Sequence, residues 1–142
     1  MTRVSFYILA SHEWHQRQVY ACRLAEKAYR QGQHVYIYTS GEQHSAQLSE
    51  LLWSFRPDSF VPHDIQQANV QASSPVLIAH DELSPPRLMD FLINLSDEQP
   101  LFFSQFERVA EIIDNNEPIK QAGRQRYQFY KQRGYELDTF TI

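Results

Sequence analysis

The sequence predicts an α/β fold: a single Rossmann-like domain over residues 1–142, with a mostly parallel sheet flanked by helices. Two observations lead to this prediction. Short apolar runs of strand length alternate with longer segments in which apolar residues recur every three or four positions. Such alternation is typical of parallel sheets, whose helical connections cover both faces. A chain of 142 residues is also long enough to bury a core of its own.

The strands and helices can be assigned in order from these patterns. Strands are predicted at five apolar runs: 4–9, 34–39, 75–79, 91–95 and 109–113. Helices are predicted over four segments: 13–31, 42–54, 100–106 and 118–133. Gly32 and Gly134 stand where helices commonly end, and Pro57 ends the second helix because the residue before proline avoids helical geometry. The polar segment 64–74 is predicted to be a loop.

The turn after the first strand lacks a nucleotide-binding loop. Residues 10–14 read ASHEW, without the glycines that let a backbone approach a pyrophosphate. The chain also contains no GxxxxGK[ST] motif. We therefore expect no nucleotide cofactor.

Histidine and cysteine give no sign of a catalytic or metal site. His12 and His15 are three residues apart, but no second pair accompanies them, so surface or capping roles are favoured. Cys22 lies on the apolar stripe of the first helix, where a buried structural thiol is favoured over a nucleophile. We expect a protein that is not an enzyme and holds no metal. A degenerate α/β enzyme without a recognised motif is the remaining alternative.

The cellular compartment is predicted from three simple features. The single cysteine cannot form an internal disulfide, which fits a reducing compartment. No apolar run approaches the ~20 residues of a membrane span, and the first residues are unlike a signal peptide. We expect a soluble, cytoplasmic protein with no membrane partner.

The segment 117–137, EPIKQAGRQRYQFYKQRGYEL, reverses the charge of the chain. The whole chain has a net charge of −4, whereas residues 120–133 contribute five basic residues and no acid, which leaves −9 for the remainder. Aromatic residues lie among these charges. A cationic and aromatic patch on an acidic protein suits a small anionic partner with an apolar element, because the acidic body repels long nucleic acid.

On the predicted last helix, this segment divides into two neighbouring stripes. One carries Lys120, Arg124, Tyr127 and Lys131, and the other carries Ile119, Gly123, Arg126 and Tyr130. We expect the first stripe to bind a carboxylate while the gap left by Gly123 receives an apolar side chain. A solvated basic face with core tyrosines explains the same pattern. A direct single-stranded nucleic-acid-binding module is a further alternative.

A second segment, 51–63, is rich in large aromatic residues and proline, and reads LLWSFRPDSFVPH. If the leucines of the second helix point inward, Trp53 and Phe60 need not both be buried by the sheet. Exposed aromatic residues beside proline are typical of protein interfaces. Rings that close the end of the core are an equally supported alternative.

Five stretches resemble one protein family in order and spacing. They are FYIL at 6–9, LLWSFRPDSFVPH at 51–63, LINL at 92–95, FERVAEIID at 106–114 and KQAGRQRYQFYKQRGYEL at 120–137. Together they resemble the chi subunit of bacterial DNA polymerase III holoenzyme over nearly the whole chain. The patterns WxFRPxSFxPH and RxRYxxYxxxG[YF] are specific because they are not generic α/β sequence.

The resemblance implies a non-catalytic accessory subunit of the clamp-loader complex in DNA replication, which meets nucleic acid only indirectly. It implies a Rossmann-like fold that binds no nucleotide. It also implies two partners. One is the psi subunit, and the other is the acidic C-terminal tail of single-stranded DNA-binding protein, which ends in a phenylalanine carboxylate.

Two sets of residues are carried over from the family by position. Lys120, Arg124 and Tyr127 match the residues that bind the tail. The segment that matches the psi-facing surface contains four candidates: Trp53, Phe60, Pro62 and His63. Among these, Phe60 is the strongest. In this family the same surface can also serve a helicase-like protein.

Overall fold

The computed structural model describes residues 1–70 and 72–142. Its strands are β1 (Arg3–Ile8), β2 (Val35–Tyr38), β3 (His63–Ile65), β4 (Val76–Ala79), β5 (Phe91–Asn94), β6 (Arg108–Ile113) and β7 (Glu136–Thr141). Its helices are α1 (Trp14–Arg30), α2 (Glu42–Ser54) and α3 (Glu117–Gln132). The predicted α/β fold is confirmed, and these three helices begin and end within one residue of the predicted positions.

The strands form one sheet in the order β3-β4-β2-β5-β6-β1-β7, and every pairing in the described part of the chain is parallel. Helices α1 and α2 pack on one face, over a core that includes Ile37 and Leu48. Helix α3 and the aromatic turn around residue 103 cover the other face. All residues of β2, β4 and β5 are buried, as expected for the centre of a parallel sheet.

The two edge strands were not predicted. Strand β3 lies at the start of the predicted 64–74 loop and is only three residues long, with one buried residue, so it contains no apolar run. Strand β7 is half or fully exposed along its length and carries acidic residues, so it also lacks a buried-strand pattern. The predicted loop further includes Gln71, which lies outside the described residues.

The predicted helix 100–106 is instead a short 3₁₀ turn at Phe103–Gln105. Phe102, Phe103 and Phe106 are all buried. These three positions lie within about 100° of one another on a helix, so a regular helix and the observed turn satisfy the same apolar pattern. An irregular turn brings them all into the core.

Candidate functional site

A cavity of about 300 Å³ lies between α3 and the sheet edge formed by β6, β1 and β7. The residues that line it are Phe6, Ile8, Ile113, Lys120, Gly123, Arg124, Tyr127 and Thr139. The structure therefore brings Lys120, Arg124 and Tyr127 together around one opening. Their helical spacing places them on one face, and the neighbouring strands complete the wall.

The charged rim of this cavity belongs to α3. Lys120 is half-buried, and its Nζ donates a hydrogen bond of 3.1 Å to Oδ1 of Asn115. Arg124 is exposed and forms no ion pair with residues 1–70 or 72–142. Two cations one helical turn apart can hold a carboxylate by charge-assisted hydrogen bonds.

Apolar side chains from the sheet form the floor of the cavity. Phe6 and Ile8 come from β1, and Ile113 comes from the end of β6. The rings of Phe6 and Tyr127 meet edge to face, with centroids 5.2 Å apart and planes inclined at 64°. Such a floor beside a cationic rim suits a ligand group that is both apolar and negatively charged.

Gly123 brings α3 close to β6. A Cβ atom at this position would lie 2.6 Å from Cδ1 of Ile113. The side chain of Ile113 fills the space that a Cβ atom would occupy, while Gly123 itself still lines the cavity, so the ligand gap expected at Gly123 stays a prediction. The cavity lies beside this contact.

Arg126 is buried, so it is not part of the basic surface that the sequence predicts for residues 120–133. Its side chain is 3% exposed, and its Nε donates a 2.9 Å hydrogen bond to Oε1 of Glu111. Glu111 is fully buried and also accepts a 2.8 Å hydrogen bond from the Tyr130 hydroxyl. Burial, and then the negative charge of Glu111, raise the pKa of Tyr130, so its hydroxyl remains a donor. This network holds the inner face of α3 against the sheet.

A second surface is formed by two exposed rings at the end of α2. The side chain of Trp53 is 49% exposed and that of Phe60 is 66% exposed. Their ring centroids are 5.3 Å apart. Adjacent aromatic rings that the core does not bury are characteristic anchors for a protein partner.

Polar contacts to α1 hold the loop that follows α2 and carries Phe60. Glu26 is buried on α1, and its Oε1 lies 2.6 Å from Nη2 of Arg56. Its other carboxylate oxygen accepts a hydrogen bond from the Ser59 hydroxyl. Arg56 and Ser59 therefore fix the loop, while the Phe60 ring stays exposed beside the ring of Trp53.

His63 lies beneath Trp53 and supports its ring. It is buried, and its ring nitrogens are within hydrogen-bond distance of the Val61 carbonyl at 2.8 Å and the Ser49 hydroxyl at 3.0 Å. Its ring centroid is 4.4 Å from that of Trp53. Pro62 is half-buried next to it. Of the four residues matched to the psi-facing surface, Trp53 and Phe60 are therefore the two that are well exposed.

Other kinds of site have little support in the described residues. Among them, no three His, Cys, Asp or Glu side chains are arranged to hold a metal ion. Burial raises the pKa of the Cys22 thiol to about 12, which suits a structural rather than a reactive cysteine. None of the helices in this part combines the length and hydropathy that crossing a bilayer requires.

Comparison with known proteins decides the family. The model of the family described as DNA polymerase III chi subunit, HolC, matches residues 1–138. This chain belongs to the DNA polymerase III chi subunit family. The resemblance seen in the sequence is confirmed, and membership makes the chain an accessory subunit of DNA replication.

Relatives in this family match nearly the whole chain. The chain is 42% identical over 137 residues to the DNA polymerase III subunit chi of Pseudomonas aeruginosa, which covers 96% of this chain and 94% of that protein. Identity to the chi subunit of Haemophilus influenzae is 30%, with 96% and 95% covered. For the chi subunit of Escherichia coli it is 31%, with 84% and 82% covered.

The same fold occurs in a distant solved structure, the crystal structure of T4 UvsW. The TM-score is 0.71 at 9% sequence identity, over 99% of this chain and 41% of that one. The chain thus spans about two fifths of the length of T4 UvsW. At this identity the likeness concerns the fold alone.

The sequence identified the α3 side of the cavity and missed the sheet side. Phe6, Ile8 and Ile113 were assigned to strands and given no role in a site. Thr139 lies on β7, for which no strand was predicted. Strand β7 contains no apolar run, so no sequence signal placed Thr139 beside β1.

Proposed function

We propose that this chi-family chain is a non-catalytic adaptor of the DNA polymerase III clamp-loader complex in the cytoplasm. The cavity beneath α3 captures the acidic C-terminal tail of single-stranded DNA-binding protein. The surface of Trp53 and Phe60 binds the psi subunit. The observation that carries the proposal is the convergence of Lys120, Arg124 and Tyr127 around one cavity with an apolar floor.

The cationic rim and the apolar floor of the cavity bind different parts of the tail. The terminal carboxylate of the tail pairs with Arg124 or Lys120, and the terminal phenylalanine ring enters beside Tyr127 on the apolar floor. Each charge-assisted hydrogen bond contributes about 1.5–3 kcal/mol. Burying one phenylalanine side chain contributes about 1.5–3 kcal/mol. After the cost of ordering a flexible tail, we expect a micromolar affinity, about −8 kcal/mol.

A peptide tip fits this cavity better than single-stranded nucleic acid does. A nucleic-acid groove tracks several phosphates with a continuous row of cations. Here Arg126 is buried in an ion pair, and Lys120 and Arg124 flank one compact opening. A weak, compact contact also becomes effective when the partner is an oligomer that carries several tails.

The partner surface is supported by exposure and by rigidity. Trp53 and Phe60 are exposed neighbours, while the Glu26 contacts and His63 hold the backbone beneath them. Pre-ordered rings lose little side-chain freedom on binding, which favours their use as anchors. A helicase-like protein could use the same two rings, and it would then compete with psi.

Titration calorimetry with a synthetic acidic peptide that ends in phenylalanine tests the tail site. We expect Arg124→Ala to weaken binding tenfold or more, and added salt to weaken it as well. Removing the terminal phenylalanine from the peptide should abolish binding. Unchanged affinity in Arg124→Ala would refute the assignment.

Arg133→Ala is the matched control, since it removes the same charge from the end of α3. Arg133 lies over the ring of Phe129, with Cζ 4.2 Å from the centroid, and does not line the cavity. We expect it to retain tail binding close to that of the unmodified chain. A parallel titration with a fluorescent oligonucleotide should show negligible binding in the absence of the tail-bearing protein.

A further inference from the structure

A separate, smaller cavity opens at the carboxyl ends of β2 and β5. It has a volume of about 130 Å³, and its walls include Thr39 and Ser40 after β2 and Leu95 after β5. The connection after β2 runs through α2 towards β3, whereas the connection after β5 runs the opposite way, to β6. Adjacent strands whose connections diverge form a topological switch point, where open α/β sheets bind ligands.

Arg17 places a fixed positive charge in the wall of this cavity. It is 4% exposed and lines the cavity wall. Its Nε donates to the Ile112 carbonyl at 2.8 Å and its Nη1 to the Leu95 carbonyl at 3.2 Å, which fixes the guanidinium over the strand ends. Its Nη2 is buried and has no partner within residues 1–70 and 72–142. A buried donor of this kind is unfavourable unless something accepts its hydrogen bond.

Gln18 adds a second polar group in the same position. It is also 4% exposed and lines the cavity next to Arg17. Its side-chain amide makes no hydrogen bond to the residues that the structure describes. The Gln18 amide therefore offers an unpaired donor to this cavity, beside the fixed charge of Arg17.

Three helices begin at this cavity. Trp14, His44 and Ile119 line it, and they belong to the first turns of α1, α2 and α3 respectively. The first N–H groups of a helix have no partner within the helix and carry partial positive charge. Their convergence beside Arg17 favours a negatively charged occupant.

We propose that this cavity binds one small oxyanion, a single phosphate or carboxylate group, with the Gln18 amide and the first-turn N–H groups as donors beside the Arg17 charge. Its volume of about 130 Å³ is well below the ~300–1,000 Å³ of a cofactor or nucleotide pocket. It also exceeds the ~30 Å³ that one molecule occupies in liquid water. This cavity and the tail-binding cavity share no lining residue.

Acidic neighbours limit the affinity of this site. Asp97 is exposed and lines the cavity, and Asp114 and Glu111 act on the charge of Arg17 from the interior. Arg126 adds a positive charge nearby, which partly offsets them. We therefore expect weak, saturable binding that strengthens when the Asp97 charge is removed.

Nitrogen-15 NMR on the full chain tests the site directly. Sodium phosphate and sodium acetate are titrated separately against sodium chloride at equal ionic strength. We expect saturable shifts of the Trp14 indole, the Gln18 side-chain amide and the first-turn amides of the three helices with at least one oxyanion. Binding of phosphate, acetate or both supports the site and identifies the group. Shifts equal to those in chloride, or confined to the face of Lys120 and Arg124, overturn it.

Two substitutions give the test its controls. Gln18→Leu should weaken binding about tenfold because it removes one donor while keeping the side-chain bulk. Asp97→Asn should tighten binding roughly three- to tenfold by removing a nearby negative charge. Glu50→Gln, an exposed position on α2 outside the cavity walls, makes the same change of net charge and should have no effect. Equal affinities in Asp97→Asn and Glu50→Gln would contradict the proposed position, even if Gln18→Leu failed to fold.

Discussion

Ile113 occupies the space in which a side chain at Gly123 would begin, since a Cβ atom there would approach its Cδ1 to 2.6 Å. The contact joins the middle of α3 to the end of β6, so it sets how closely the helix lies over the sheet beside the cavity. Glycine in a helix interior costs ~1 kcal/mol relative to alanine. The close packing explains why the helix carries a glycine at this position.

Gly123→Ala should reduce the free energy of unfolding by about 1 kcal/mol. Overpacking costs about 1–3 kcal/mol, and the better helix propensity of alanine returns about 1 kcal/mol. Urea denaturation measures the change. Ile113→Val removes the clashing methyl group and should restore part of the loss in the double variant. Gly41→Ser, where no atom lies within 4 Å of a new Cβ, is the control.

Arg126→Met should destabilise the fold by about 3–5 kcal/mol, because it leaves the buried carboxylate of Glu111 without its charged partner. Replacing Glu111 by methionine as well should recover much of this loss, since the apolar pair no longer buries a charge. Arg124→Met on the exposed face of the same helix should change stability by less than ~0.5 kcal/mol. Equal effects of the two arginine substitutions would show that the Glu111 network contributes little.

Phe60→Ala should leave the fold and tail binding intact while abolishing co-purification with psi. The ring of Phe60 is 66% exposed, so its loss creates no internal cavity. The adjacent Val61 is fully buried, and Val61→Ala should instead cost on the order of 2 kcal/mol of stability. If Phe60→Ala unfolded the chain, Phe60 would be a core residue and the partner surface would have to be reassigned.

The Cys22 thiol should resist modification in the folded chain. Burial raises its pKa from 9.0 to about 12, so very little reactive thiolate exists at pH 8. Reaction with a thiol reagent such as DTNB should be slow in buffer and fast in guanidinium chloride. Because the raised pKa favours the neutral thiol, its contribution to stability should be lost between about pH 9 and pH 12. Rapid native-state labelling at pH 8 would contradict the buried position.

The central elements could be predicted because their residues carry strong local patterns. Runs such as Val76–Ala79 are apolar throughout and fully buried, and α2 has leucines at helical spacing. The edge strands could not be predicted in this way. In β7, Asp138 and Thr139 face partly or fully into solvent, and the strand exists because it pairs with β1 far away in sequence.

In the candidate sites, too, features set by local sequence could be predicted and features set by distant contacts could not. Lys120, Arg124 and Tyr127 are close in sequence, so helical spacing alone predicted that they share a face. The burial of Arg126 depends on Glu111, which lies on another element, and the helix pattern contains no sign of this partner. Arg17 and Gln18 meet the ends of β2 and β5 only in the folded chain, so their cavity had no sequence signal.

The order of strands fixes a distance as well as a topology. Strand β3 lies at one margin of the sheet, and β1 lies five strand spacings away, roughly 24 Å at about 4.8 Å each. The Trp53–Phe60 rings lie beside the first and the α3 cavity lies above the second. Because one continuous sheet joins these two regions, the spacing between them is set by the strand order and does not depend on any loop.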